Sequence, residues 1–304
     1  MSSNPKRGNL HLLKRRFTAW WEGEPFDLEL VREELATHEA NHQAEMPVAA
    51  EGPLDPRLSA LELLWGRGRI GPGDEDEDQE FVQSIASFLP DGTLLAIGPG
   101  LDAPMAPILA LERPTLIREW RHGTIDALRS RLPAHGEIIS QLDLETIKLD
   151  EGIAGLFTWE CFLHAPDKVR LLARAARALQ PGGHWVAMDY CGAPSPFLAA
   201  AFASSFAEPH LFPEPELRTL IEAAGLEIVE VKDISDQKLA QLRSAFGRIG
   251  DQLESLSGAL GGSDAVARAH EYSWEIQAWR ARSELISTGR LSVCQFVLRK
   301  PVGE

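Results

Sequence analysis

The stretch TLLAIGPG (Thr93–Gly100) decides the fold, because it joins a short apolar strand to a glycine turn. Thr93–Ile97 has the length and residue types of a buried strand, and it breaks at Gly98-Pro99-Gly100. Glycines at a turn from strand to helix let backbone N–H groups approach a ligand closely. The same run also forms ordinary tight turns, so the stretch by itself leaves a structural and a binding role open.

After residue 80 the sequence alternates between strand-like and helix-like segments. This alternation is typical of a parallel sheet covered by helices on both faces. The predicted strands are Thr93–Ile97, Thr115–Trp120, Glu137–Leu142, Ile153–Phe157, His184–Tyr190, Leu226–Val231 and Leu291–Leu298. Ligands of open α/β sheets bind outside the carboxyl ends of the strands, and the turn at Gly98 is the first such end.

The helices show apolar periodicity and clear end signals. In the clearest one Val169, Leu172 and Ala176 share a face, and Pro181-Gly182-Gly183 follows its end. The other predicted helical segments are Asp27–Gln43, Leu58–Trp65, Phe81–Leu89, Ala106–Leu111, Ile125–Leu132, Pro213–Ala224 and most of Asp236–Thr288. The acidic run at residues 74–78 is either a solvated loop or the negative start of the next helix.

Charge and composition argue against several classes of function. The formal net charge of −15 disfavours a nucleic-acid surface, which needs clustered Lys and Arg. The three cysteines are isolated, with no CxxC pair and no His at metal-ligand spacing, which fits a reducing compartment. The sequence has neither an apolar run of about 20 residues nor a signal-peptide core, so we expect a cytoplasmic protein that is not in a membrane.

Five segments carry a family resemblance: Thr93–Gly100, Thr115–Trp120, Gln141–Asp143, Phe157–Asp189 (with LQPGGHW at its centre) and Leu217–Asp233. Together they resemble the class I S-adenosylmethionine-dependent methyltransferases over about residues 58–300. The resemblance implies a Rossmann-like, seven-stranded, mostly parallel sheet, with S-adenosyl-L-methionine as cofactor. Leu64–Gly73 resembles the lid of those members that methylate phosphoethanolamine, sarcosine or related amines.

The resemblance also assigns residues to the cofactor. Glu119, at the end of the second strand, would accept hydrogen bonds from two ribose hydroxyls, and Asp143 would accept one from the adenine amino group. A surface charge for Glu119 and a loop or helix-cap acid for Asp143 are the ordinary alternatives. The whole predicted cofactor set is Gly98, Gly100, Asp102, Glu119, Trp120, Asp143, Leu144, Trp159 and Trp65.

Three residues are predicted to be catalytic: Glu160, His164 and Tyr190 come to strand ends near the expected methyl acceptor. His164 is a candidate general base, and a histidine that caps a helix start is the alternative. Methyl transfer depends mainly on in-line positioning, so the lack of an obvious base does not exclude it. Trp65 and Trp159 offer cation–π attraction to a sulfonium or an ammonium, or they pack in the core.

Two positions depart from the family pattern. Ala96 stands where the family usually has an acid for the amino-acid end of the cofactor, and Asp102 stands at the third glycine. The loss of one charge-assisted contact costs about 1.5–3 kcal/mol, or roughly 10- to 150-fold in affinity. Two hypotheses therefore remain: a small-molecule methyltransferase, or a catalytically inactive homologue that serves as a binding or regulatory partner. A homodimer or a heteromer with a paralogue is compatible with both.

The sequence divides into five segments by these criteria. Residues 1–57 form an N-terminal tail with an accessory helix, and residues 58–80 form the lid segment. Residues 81–235 form the methyltransferase-like Rossmann core. Residues 236–289 form a helical insert that packs against the sheet as part of the core or serves as a cap or a dimer surface. Residues 290–304 hold the final strand.

Overall fold

A computed structural model describes residues 55–193, 210–252 and 263–302. The strands are β1 (Thr93–Ile97), β2 (Thr115–Glu119), β3 (Ile139–Gln141), β4 (Ile153–Trp159), β5 (Leu179–Cys191), β6 (Glu227–Asp233) and β7 (Ser292–Arg299). The helices are α1 (Pro56–Trp65), α2 (Glu75–Ala86), α3 (Ala106–Leu109), α4 (His122–Arg131), α5 (Cys161–His164), α6 (Lys168–Ala178), α7 (Glu214–Ala223), α8 (Ser235–Gly247) and α9 (Ser263–Ser287). The helix predicted at Asp27–Gln43 lies outside the described residues.

The seven strands form one sheet in the order β3-β2-β1-β4-β5-β7-β6. Strands β1 to β5 pair in parallel, whereas β7 lies antiparallel between β5 and β6. The strand order reverses between β1 and β4, so the connections after these two strands leave in opposite directions. The crevice at their carboxyl ends is the place where open α/β sheets bind ligands.

Polar side chains fix the starts of the helices. Asp55 accepts the backbone N–H of Arg57 (2.8 Å) before α1, and Asp167 accepts that of Arg170 (2.9 Å) before α6. Asp74 caps α2 by accepting the N–H of Glu77 (2.9 Å). The acidic run at 74–78 is therefore a helix start, where the macrodipole favours negative charge.

Two apolar clusters cover the faces of the sheet, and a third lies beyond its carboxyl edge. One face packs against α6 and α7, and the other against α2 and α4. The third cluster joins α1, α8 and α9 to Tyr190 and Val293 of the sheet. At its centre the rings of Trp65 and Trp279 meet edge to face, with centroids 4.9 Å apart. The helices before and after the core thus come together over the carboxyl ends of the strands.

The predicted fold class, an α/β protein with a seven-stranded, mostly parallel Rossmann-like sheet, is confirmed. The largest difference in a strand is at β5, which begins at Leu179 instead of His184. Pro181-Gly182 ends the preceding helix as predicted, but the chain continues as an irregular strand beside β4. Within the described parts of the chain, no helix is long and apolar enough to span a membrane.

Candidate active site

A cavity of about 430 Å³ lies at the carboxyl ends of β1, β4 and β5. Its floor includes the turn after β1 and the residues after β4, and its roof comes from α1, α9 and the segment 66–73. Small-molecule sites usually have volumes of about 300–1,000 Å³. The predicted site residues that line the cavity are Gly98, Trp159, Glu160, His164 and Tyr190. The cavity therefore lies where the sheet topology predicts a ligand.

Two side chains cover the glycine turn after β1. Gly98 (φ +73°) and Gly100 (φ +75°) both have left-handed backbone conformations. A Cβ at Gly98 would collide with the outer edge of the Trp120 ring, and one at Gly100 would collide with the Ile70 side chain. The space that a ligand needs at this turn is thus filled mainly by the outer ends of side chains, and a Cβ at Gly98 would also lie 2.9 Å from the Trp159 carbonyl oxygen.

Glu119 lies beside this turn and is completely buried. Its Oε2 accepts the Gly100 N–H (2.8 Å), and its Oε1 accepts the Arg121 N–H (2.9 Å). The guanidinium of Arg121 also donates to both oxygens, at 3.1 and 3.3 Å. A carboxylate this deep requires such partners, because an unpaired buried charge is costly. Arg121 thus occupies both oxygens of Glu119, and the contact of Glu119 with a ribose stays a prediction.

Arg121 is a cavity-lining residue that the sequence interpretation missed. Its Nη2 lies 3.2 Å from Glu160, and its guanidinium lies over the Trp120 ring at 4.2 Å from the centroid. The His164 ring also packs near Trp120, with the two ring centroids 5.6 Å apart. The signal in the sequence was a cationic residue directly after Glu119 and Trp120. Arg121 links the ends of β2 and β4.

Glu160 follows β4 in a left-handed conformation (φ +57°), which is unusual for a residue with a Cβ. Its N–H donates to the Met188 carbonyl (2.9 Å), which fixes this backbone. Its Oε2 lies 3.6 Å from Nε2 of His164. Burial by itself would raise the pKa of Glu160, but His164 and the charge of Arg121 outweigh it and hold the pKa at about 2. Glu160 is therefore an anion that faces the cavity.

Asp189, at the end of β5, holds α5 in position. Its carboxylate accepts the backbone N–H groups of Phe162 (2.5 Å) and Leu163 (2.9 Å). Burial raises the pKa of Asp189 to about 7, although these hydrogen bonds oppose the rise. The neighbouring Tyr190 is buried as well, and burial raises the pKa of its phenol. His164, the last residue of α5, is thus anchored to the sheet.

Several predicted cofactor residues lie away from the cavity. Asp143 is exposed and accepts hydrogen bonds from Glu145 N–H (2.8 Å) and Thr146 Oγ1 (3.1 Å) of its own loop. Those bonds, the first of them above all, lower its pKa. Leu144 packs in part against the sheet face. The loop-acid alternative describes this geometry of Asp143. The adenine contact of Asp143 and the cofactor contact of Leu144 stay predictions.

The two departures from the family pattern have structural explanations. Ala96 is fully buried in the apolar cluster of Phe81 and Phe157, where a carboxylate would be unpartnered. Asp102 turns away from the cavity and accepts a hydrogen bond from Arg131 (2.9 Å). In this structure its carboxylate is paired with a cation, and its contact with the cofactor stays a prediction.

The two tryptophans predicted at the site differ in position. Trp65 is buried against Trp279, which is the packing alternative. Trp159 packs on Phe81, with ring centroids 5.0 Å apart, and still lines the cavity. Only Trp159 of this pair presents a ring to a bound ligand in this arrangement, and the role of either in binding stays a prediction.

No family model matches the sequence. The chain is 25% identical over 138 residues to phosphoethanolamine N-methyltransferase 2 of Caenorhabditis elegans, and this match covers 41% of the chain and 30% of that relative. It is 27% identical over 225 residues to sarcosine/dimethylglycine N-methyltransferase of Halorhodospira halochloris, which covers 66% of the chain and 77% of the relative. The chain thus matches less than a third of the length of the first relative.

A solved structure extends the comparison. Phosphoethanolamine N-methyltransferase 2 of Haemonchus contortus, in complex with phosphomonomethylethanolamine and S-adenosylhomocysteine, superposes with a TM-score of 0.66 at 18% identity. The superposition covers 80% of this chain and 57% of that one. The protein therefore has the fold of the class I S-adenosylmethionine-dependent methyltransferases, and the resemblance seen in the sequence is confirmed at this level.

Proposed function

We propose that this protein is an S-adenosylmethionine-dependent methyltransferase that modifies a small molecule in the cavity described above. The observation that carries the proposal is that one cavity joins the glycine turn at Gly98 to the polar pair Glu160 and His164. A methyl donor and its acceptor must meet in such a space. The curated relatives, whose names describe N-methyltransferases of small amines, support the same reaction class.

The residue types at the turn fit a nucleoside cofactor once three side chains rotate. Trp120 and Ile70 cover the glycines with the ends of their side chains, and Arg121 holds Glu119 through hydrogen bonds that a rotation releases. Glu119 would then accept hydrogen bonds from the ribose hydroxyls, and Gly98 would let the ligand lie close to the backbone. Trp120 would offer its ring face to the base.

The chemistry then depends on residues after β4. S-adenosylmethionine, held at the glycine turn and by Glu119, would supply a methyl group to a lone pair of the acceptor. The His164 imidazole would receive the proton that the acceptor loses, and the Glu160 carboxylate, whose Oε2 lies 3.6 Å from Nε2, would stabilise the imidazolium. Asp189 keeps this proton acceptor on the rigid sheet edge through the N–H groups of α5.

A catalytically inactive homologue that binds a partner or another ligand is the second candidate. The filled nucleoside position favours it, because Trp120, Ile70 and Arg121 together complete the packing of the turn without a ligand. In this alternative the Glu119–Arg121 pair would be a permanent structural contact.

Transfer of labelled methyl groups tests the proposal. Purified protein is incubated with methyl-labelled S-adenosylmethionine and a panel of small amines and hydroxylated compounds, and labelled products are counted. We expect label in at least one acceptor with the wild type and much less with His164→Gln. Binding of the cofactor without any transfer would favour the second candidate, and the absence of both would refute the proposed function.

A further inference from the structure

Arg131, the last residue of α4, joins the lid helix α1 to the glycine loop. Its guanidinium donates two hydrogen bonds to Glu62 of α1, from Nη1 to Oε1 (2.5 Å) and from Nη2 to Oε2 (2.7 Å). Nη1 also lies 2.9 Å from Oδ1 of Asp102. The side chains of Arg131 and Glu62 are only 7% and 12% exposed, so solvent screens this pair weakly. Bidentate hydrogen bonds between an arginine and a carboxylate are stronger than hydrogen bonds between neutral groups.

The same residues hold the backbone of the segment 66–73. Glu62 Oε1 accepts the N–H of Gly68 (2.5 Å), and the N–H of Ala103, next to Asp102, donates to the Gly68 carbonyl (3.1 Å). A Cβ at Gly68 would lie 2.9 Å from Ala103, so the two backbones are in close contact. The start of this segment is therefore pinned to the glycine loop at the position where the family has its third glycine.

The far part of the segment is pinned to the core. Arg69 Nη2 lies 2.5 Å from Asp78 of α2, and Lys238 of α8 donates to the Pro72 carbonyl (2.8 Å). Ile70 lies between these anchors, and its side chain covers Gly100. The present position of the Ile70 side chain and the approach of a ligand to Gly100 are thus mutually exclusive.

We propose that Arg131, Glu62 and Asp102 form a latch that holds the segment 66–73 closed, and that this latch must open before a nucleoside-sized ligand reaches the glycine turn. Asp102 then helps to hold the segment 66–73 and does not bind the cofactor. This role accounts for an acid at that position. The identity of the ligand rests on the proposed function, whereas the latch itself does not. A ligand that binds only the open form shifts the equilibrium by its preference for that form.

Hydrogen exchange measured by mass spectrometry tests the latch without any ligand. In Arg131→Gln the amides of residues 66–73 should exchange faster by about 10- to 150-fold, since each charged hydrogen bond contributes about that factor. Asp102→Asn keeps the Glu62 contact and should give a smaller increase in the same peptide. Arg177→Gln, which breaks an exposed pair with Glu151 (2.7 Å), is the control and should leave this peptide unchanged.

Unchanged exchange of residues 66–73 in both Arg131→Gln and Asp102→Asn would overturn the latch. Should Arg131→Gln fail to fold, the rates at which Asp102→Asn and Ile70→Ala bind a ligand test the proposal instead. Binding of S-adenosylhomocysteine, followed by stopped-flow tryptophan fluorescence, is expected to become faster by about tenfold or more in Asp102→Asn and Ile70→Ala. Faster hydrogen exchange of residues 66–73, without binding of S-adenosylhomocysteine to any variant, would support the latch and contradict the proposed function. If residues 66–73 exchanged faster but S-adenosylhomocysteine associated at the wild-type rate in both variants, the proposal that the latch gates ligand entry would be overturned.

Discussion

Arg121 satisfies the Glu119 carboxylate from two directions, by its backbone N–H at 2.9 Å and its guanidinium at 3.1 Å. Glu119 is fully buried, whereas the Arg121 side chain is 22% exposed at the cavity. The acid is therefore a fixed part of the sheet edge, and the cation is the movable partner. Under the proposed function, a ligand with two adjacent hydroxyls would compete with Arg121 for the same two oxygens.

Arg121→Met should destabilise the folded protein and strengthen nucleoside binding. The change leaves Glu119 with backbone donors alone, so the free energy of unfolding should fall by about 1–3 kcal/mol. It also removes the competitor, so S-adenosylhomocysteine should raise the melting temperature more than in the wild type. Thermal unfolding with and without ligand measures both effects, with Arg177→Gln as control. A smaller ligand-induced shift than in the wild type would show that Arg121 helps to bind the ligand.

His164→Gln should lower the rate of methyl transfer by about 10²- to 10⁴-fold, the usual contribution of a general base. The affinity for S-adenosylhomocysteine should change little, because the proposed role concerns the proton of the acceptor. Steady-state kinetics and calorimetry separate the two effects, and His270→Gln, an exposed histidine on α9, is the control. If affinity and rate fell together, His164 would act by packing on Trp120 instead.

Asp189 should make stability depend on pH in the opposite sense to most carboxylates. Its pKa in the folded protein is about 7, above the unfolded value of about 3.9, so the folded state binds the proton more tightly. The contribution of Asp189 is therefore full below about pH 4 and declines as the pH rises towards 7. Urea unfolding of the wild type and Asp189→Asn at pH 5 and pH 8 measures this. The wild type should lose more stability than the variant between these pH values; equal losses would contradict the assignment.

The sequence predicted the sheet well because its signals are local. β1 was predicted with its observed ends, since an apolar run meets a glycine turn, and Pro181-Gly182 marked the end of α6. The acidic run at 74–78 had two interpretations, and the capping bond from Asp74 to Glu77 decides between them. Local chemistry of this kind is visible in a single stretch of sequence.

The state of the site could not be predicted, because it depends on contacts between distant segments. Arg131 meets Glu62 across 69 residues, and Ile70 reaches Gly100 from another part of the chain. The predicted cofactor set included Asp102, whereas in the structure its carboxylate accepts a hydrogen bond from Arg131 at the end of α4. Glycines that look open in the sequence are thus covered in the folded protein.

The most direct test of the account is calorimetric titration of S-adenosylhomocysteine into the wild type and Glu119→Gln, with both shown to be folded. We predict saturable binding to the wild type below about 1 mM ligand, and a loss of about 10- to 150-fold in Glu119→Gln. Glu151→Gln, an exposed acid, should behave as the wild type. The absence of any heat with wild-type protein at millimolar ligand, or equal affinity in Glu119→Gln, would contradict the central claim.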